Sequence, residues 1–203
     1  MTIDIVRATA PSAHTYDLPF HYNGHLINSS FDSRRETCSL RPMAGGYGYE
    51  HLWKECEREV ESENVWFTIL EDDRFYSVTT ALGTGKVYLT RSGANDPNTN
   101  LRSEPAVIFR KEGQSDYTFA SVIEPHGLFD PNLELTKGAN APTEKVEVVY
   151  DGEDYTAVQI AIHGRELPVL FIAVNAAEEG KEEHRLSLNG KTYNWTGNYY
   201  VQQ

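Results

Sequence analysis

The chain is expected to be all-β, an antiparallel β-sandwich of many short strands and hairpins. Runs rich in β-branched and aromatic residues follow one another along its length. Turn chemistry recurs between them about every eight to twelve residues, the spacing of a sandwich rather than of alternating strands and helices. No apolar period of 3.6 lasts for three turns.

Taken in order, residues 2–7 read as a strand that carries Asp4, which sets them apart from a signal peptide. Asn23-Gly24 reads as a hairpin turn with His21 and His25 at its two ends. In residues 45–53 glycines alternate with aromatics; without a Lys-Ser/Thr ending this is no phosphate loop. As a strand it would put Tyr47, Tyr49, His51 and Trp53 on one face, either packed core or an aromatic sugar platform. Residues 54–63 alternate Glu55, Glu57, Glu59 and Glu61 with Cys56, Arg58 and Val60, which predicts a strand with a solvated acidic face; a short helix is the competing assignment. Residues 67–70 and 74–80 flank the turn pair Asp72-Asp73, and residues 86–91 and 106–111 are strands around a polar loop. Residues 117–123, 146–149, 155–162 and 169–174 are further strands, with Asp151-Gly152 as a turn. Asn189-Gly190 between residues 184–188 and 191–195 is the strongest hairpin signal. Residues 131–142 and 176–183 are short links and no internal repeat occurs, so residues 1–203 read as one β-sandwich domain.

The chain has 203 residues, enough to bury roughly 70% of its unfolded surface without staples. Thirty acidic against eighteen basic residues give a formal charge of −12, which argues against nucleic acid or an anionic membrane as partner. The balance is −4 over residues 1–102 and −8 over residues 103–203, so an anion site is expected in the first half or at its edge. No run approaches a membrane span. Cys38 and Cys56 lack a Cys-x-x-Cys spacing and read as buried free thiols. The triplets beginning at Asn28 and Asn194 match the glycosylation pattern, which matters only in a eukaryotic secretory setting.

Among groups that could carry chemistry, His21 and His25 lack the third ligand that catalytic zinc needs, and no metal site is assigned. Glu124-Pro125-His126-Gly127 ends an apolar strand with an acid and an imidazole; Pro125 holds Glu124 extended, and the pair has the makeup for general acid/base work. The plainer reading is two solvated polar groups at a strand end. The loop of residues 93–105 gathers Asn95, Asn98, Asn100, Arg102 and Glu104, an inventory suited to a hydroxylated, carboxylated ligand, or to a well-tied turn. No Gly-x-Ser-x-Gly elbow supports a nucleophilic hydrolase.

Several segments in one order carry a family resemblance: residues 16–26, residues 49–55, Arg74-Phe75-Tyr76, residues 90–102 and residues 122–127. Together they resemble the carboxy-terminal β-region of alginate and oligoalginate lyases of the heparinase II/III-like group, from about residue 4 to about residue 175. The resemblance implies a two-part enzyme in which a helical toroid and β-sandwich layers enclose a cleft for a uronic-acid polysaccharide, cleaved by β-elimination. It also implies that the catalytic Asn, His and Tyr lie in the toroid and the structural metal ligands in upstream strands. This chain then holds no catalytic residue and no cofactor of its own. Its partners are an acidic, alginate-like saccharide and the toroid, and the expected substrate-facing groups are Glu124, His126, Asn100 and Arg102. Such lyases are often periplasmic or secreted, and the sequence leaves the compartment open. A stand-alone carbohydrate-binding module that uses its aromatic face is the competing reading.

Overall fold

A computed structural model describes residues 1–33, 41–92, 104–176 and 183–202. The strands are β1 (Thr2–His21), β2 (His25–Ser29), β3 (Arg41–Pro42), β4 (Leu52–Glu71), β5 (Arg74–Ser92), β6 (Pro105–His126), β7 (Leu128–Asp130), β8 (Leu135–Lys137), β9 (Thr143–Asp151), β10 (Tyr155–Ile162), β11 (Val169–Val174), β12 (Glu183–Leu188), β13 (Lys191–Thr196) and β14 (Tyr199–Gln202). All pairing is antiparallel, and the expected all-β class holds. Four of the strands are not short, however: β1, β4, β5 and β6 run for 20, 20, 19 and 22 residues. They form one sheet in the order β1-β6-β5-β4-β2, with β3 also on β4.

That sheet doubles back on itself. Phe109 is paired with Val87, and Val87 with Arg58, nine residues along β4 from Phe67. In a straight sheet Phe67 and Phe109 would lie about 30 Å apart; their ring centroids are 6.1 Å apart, and Phe20 touches both at 6.1 and 5.6 Å. The long strands therefore make two leaves. An inner leaf holds residues 2–9, 64–71, 74–81 and 117–126 with β2; an outer leaf holds residues 14–21, 52–61, 86–92 and 105–112 with β3. Between them lies a core that includes Leu18, Val65, Phe67, Val78, Leu82, Val87, Phe109 and Phe119.

The bend is written into the backbone. Register shifts fall between Thr9 and His14 and between Ala81 and Lys86, and Gly83 and Gly113 take φ of 64° and 71°. A Cβ on Gly85 would come within 2.7 Å of the Arg110 carbonyl oxygen. The β5 carbonyls left without a partner across this shift are met by side chains. Lys111 Nζ donates to Leu82 O at 3.1 Å and to Thr84 O at 2.5 Å, and Tyr117 Oη donates to Leu82 O at 2.7 Å. The Lys111 ammonium also lies over the Tyr117 ring, 5.0 Å from its centroid. Burial pushes the Tyr117 hydroxyl up to about 12 and the Lys111 ammonium down.

A second sheet, ordered β14-β11-β10-β9, covers part of the other face of the inner leaf through Ala120, Val122, Val146, Val158, Ile160 and Val169. Asn64 ties the two together, accepting from the Val146 amide at 2.6 Å and donating to the Val146 carbonyl at 2.9 Å. The β12–β13 hairpin closes the far face of this sheet, with Trp195 packed among Tyr155, His184 and Tyr200. Its turn residues Asn189 and Gly190 have φ of 51° and 78°, as the Asn-Gly signal predicts. Asp72 at φ 54° turns β4 into β5, and residues 54–63 are strand.

Two expectations need correction. Asn23-Gly24 is not a hairpin: β1 pairs with β6 and β2 with β4, so the three residues between β1 and β2 carry the chain from the outer leaf to the opposite edge of the inner one. Residues 45–51 are not a strand, because Gly46, Tyr47 and Gly48 take φ of 92°, 60° and 87° before a single 3₁₀ turn at Tyr49–His51. The common face of Tyr47, Tyr49, His51 and Trp53 does not form.

Two outcomes follow for stability. Phe67→Ala removes the ring that joins the leaves and is expected to destabilise the chain by about 3–5 kcal/mol in urea unfolding, as for other buried aromatics. For Tyr117 the folded-state value lies above the ordinary 10.0, so its contribution is full below pH 10 and is lost as the pH rises towards 12. Wild-type stability should therefore fall more steeply over that interval than stability of Tyr117→Phe, and equal slopes would refute the assignment.

Candidate functional site

The outer leaf ends at the polar loop singled out in the sequence. The Ser92 amide donates to Glu104 O at 2.9 Å, closing the root of residues 93–103, and the Tyr22 amide donates to Pro105 O at 3.3 Å. Asn100 and Arg102 lie outside the described residues. Below the root, where the link between the leaves passes, is a cleft of about 480 Å³ lined by Tyr22, His25, Glu55 and Arg91 among others. Gly24 shapes it: φ is 79°, and a Cβ there would sit 2.1 Å from Leu70 O, so only glycine lets the chain turn this closely. Arg91 Nε donates to Glu55, whose side chain is 10% exposed against 34% for Arg91. A mostly buried acid thus fixes a guanidinium at the rim. The cleft joins a cation, an imidazole and a phenol beside Pro105, at the described end of the strand that follows residues 93–103.

Glu124 and His126 are in a different place, on the inner-leaf face turned towards the second sheet. They are buried, at 6% and 9% exposure, and both hold the segment that leads into β9. Glu124 Oε1 accepts from the Thr143 amide at 3.0 Å. His126 Nδ1 is 2.8 Å from Gly138 O and Nε2 is 2.8 Å from Ser77 Oγ, which in turn is 2.6 Å from Thr68 Oγ1. A carbonyl can only accept, so Nδ1 carries the proton of the neutral ring and Nε2 accepts from Ser77. Gly127, at φ 53°, would place a Cβ 2.2 Å from Gly138 O, so the strap of residues 138–143 packs directly on the backbone after His126. The order hydroxyl, imidazole, carbonyl has the connectivity of an activated serine, but Ser77 has no exposure at all and no acyl group can reach it.

Sequence reasoning missed a third cluster, on the outward face of the outer leaf. Asp17 and Arg110 are cross-strand partners joined by two hydrogen bonds of 2.7 Å, and Tyr49 Oη donates to the same carboxylate at 2.5 Å. The guanidinium lies over Tyr88, 4.8 Å from the ring centroid. The hydrogen bonds to Asp17 raise Arg110 further above its ordinary range; burial, then Asp17, raises Tyr49. The adjoining depression of about 260 Å³ adds Glu59, Glu61 and Glu112. Its other cation, Lys86, is paired with Glu112 at 3.0 Å. This face repels an anion and serves to hold the turn at Tyr49–His51 against the sheet. The available signal was the pairing of Asp17 with Arg110, which required knowing that β1 and β6 are neighbours. No group of three His, Cys, Asp or Glu side chains converges as a metal site among the described residues.

The clasp at His126 makes a spectroscopic prediction. In the neutral ring, ¹⁵N correlation should show a protonated Nδ1 and an unprotonated Nε2; the reverse tautomer would break the proposed direction of the Ser77 bond.

No protein-family model matches the chain. It is 34% identical over 201 residues to an alginate lyase of Stenotrophomonas maltophilia (strain K279a), a match that covers 98% of this chain and 26% of that protein. It is 30% identical over 202 residues to an exo-oligoalginate lyase of Saccharophagus degradans (strain 2-40), covering 97% of this chain and 27% of the relative. The chain is thus similar along nearly its whole length to proteins with alginate-lyase names, and spans about a quarter of the length of each.

Proposed function

We propose that this chain is the β-sheet portion of a polysaccharide lyase of the heparinase II/III-like kind that acts on alginate or a related uronic-acid polymer. The observation that carries this is the identity of 34% and 30% over 98% and 97% of the chain to the two lyases. Its role is structural, together with one wall of the substrate cleft, and the catalyst is sought in a helical toroid outside this chain. The occupied state of Glu124 and His126 supports that division, because the acid and imidazole pair singled out in the sequence spends bonds on the Gly138 and Thr143 backbone.

The proposed reaction is β-elimination. A base removes the C5 proton of the uronate, the electron pair forms the C4–C5 double bond, the C4–O bond breaks, and an acid protonates the leaving oxygen. Negative charge builds on the carboxylate as the proton leaves, and each donor that meets it is worth about 3 kcal/mol. Within this chain the groups proposed to approach such a carboxylate are Asn100, Arg102 and Arg91 at the cleft rim, where Glu55 holds the guanidinium in place. Glu124 and His126 act one step back, by fixing the strap.

The isolated chain is expected to produce no ultraviolet absorbance of unsaturated sugar from oligoalginate, while being retained on immobilised alginate in a salt-sensitive way. Retention should weaken several-fold in Arg91→Ala. Clear turnover by the isolated chain would overturn the division of labour, and absence of retention would overturn the cleft-wall role.

A further inference from the structure

We propose a second, separate saccharide site on the inner leaf, built for the hydroxyl edge of a neutral pyranose rather than for a carboxylate. The second sheet and the strap cover only part of the outward face of that leaf. Beyond the strap the face continues through three strands in register: Asn28 of β2 opposes Thr68 of β4, and Trp66 of β4 opposes Thr79 of β5. These four side chains share one face and floor a pocket of about 350 Å³, with Asn140 and Thr143 of the strap among its walls.

Three features point to a sugar. An indole, two carboxamides and three threonine hydroxyls line the pocket. Although Thr68 already bonds Ser77 and the Asn28 oxygen already accepts from the Ser29 amide, the set joins an apolar plane to further donors and acceptors, the combination that a pyranose ring meets with its C–H face and its hydroxyls. No cation is among the described residues that line the pocket, and its one carboxylate, Glu144, is 2.8 Å from the ring nitrogen of His163. The lining therefore offers nothing to pair with a uronate carboxylate. Finally, Thr143 Oγ1 is buried without a hydrogen-bond partner, although the Thr143 amide beside it is held by Glu124. Thr143 lines the pocket, and a turn of its side chain about χ1 would bring that unpaired hydroxyl to a ligand hydroxyl there.

This site stands on different residues from the cleft at Arg91, so each can fail alone. The test is titration of the ¹⁵N-labelled chain with methyl β-D-mannopyranoside and, separately, with a mannuronate trisaccharide, following the three tryptophan indole resonances. Trp66 is assigned by its loss in Trp66→Phe. The neutral pyranoside should shift the Trp66 resonance saturably in the millimolar range and leave Trp53 and Trp195 in place. Thr143→Val, isosteric and without the hydroxyl, should weaken that binding about tenfold with the rest of the spectrum unchanged. Asn140→Ala, on the exposed strap, should weaken it as well and serves if the valine variant unfolds. A Trp66 resonance that does not move, that moves only with the charged trisaccharide, or that responds equally in both strap variants and the wild type would each overturn the proposal. The Arg91→Ala effect on alginate retention is read independently of all three.

Discussion

The doubling of the long sheet is the constraint on which the rest of this molecule depends. A strand of about twenty residues spans some 65 Å when straight, far beyond the core of a chain this size. Folding β1, β4, β5 and β6 across one line gives each strand two roles, and Phe67, Phe109 and Phe20 meet only because all four strands bend together. The cost appears at the bend, where β5 breaks register with β6 between Ala81 and Lys86. Lys111 and Tyr117 donate to the carbonyls exposed there, so the polar contacts that look incidental on the surface are what allow the apolar core to close.

Bending also decides where function can sit. The link from His21 to His25 can be three residues long only because the end of one leaf has been brought beside the opposite edge of the other. The cleft at Arg91 opens at that junction, where the loop of residues 93–103 leaves the sheet. The described strand ends on either side of that segment, Ser92 and Pro105, thus lie at the point where both leaves contribute side chains.

Much of this was legible, and the failures share a cause. Strand runs such as residues 155–162 and the Asn189-Gly190 turn were readable because each depends on local preference: β-branched side chains in one, two positive φ values in the other. Asn23-Gly24 carries similar turn chemistry, and Gly24 does turn at φ 79°, but a turn dictates local dihedrals and not which strand comes next in the sheet. Residues 74–80 and 86–91 read as two separate strands for the same reason, although the chain bends between them and continues as one strand. Tyr47 failed through glycine as well, since Gly46 and Gly48 bracket it with left-handed backbone that no alternating pattern survives. At the candidate site, the sequence marked Glu124 and His126 as polar groups at the end of an apolar strand. It could not show that residues 138–143 return to cover them, because that segment has turn residues and no periodic signal.

The inner leaf explains why polar residues were hard to interpret even where strands were right. Where the second sheet and the strap cover it, the leaf is buried on both faces, so the alternation of apolar and solvated positions that marks a one-sided sheet is lost there. Ser77, Thr80 and Ser121 have no exposure. They are tolerated because they pair across strands, Thr80 with Ser121 at 2.8 Å and Ser77 with Thr68 at 2.6 Å, so each hydroxyl exchanges water for another hydroxyl. At the start of β9, in the second sheet, Thr143 departs from that regularity: its hydroxyl is buried with no partner, although its amide is held by Glu124. Beside a leaf whose buried hydroxyls pair in this way, a hydroxyl left open has a physical meaning, and the meaning that fits the neighbouring indole and amides is a ligand hydroxyl.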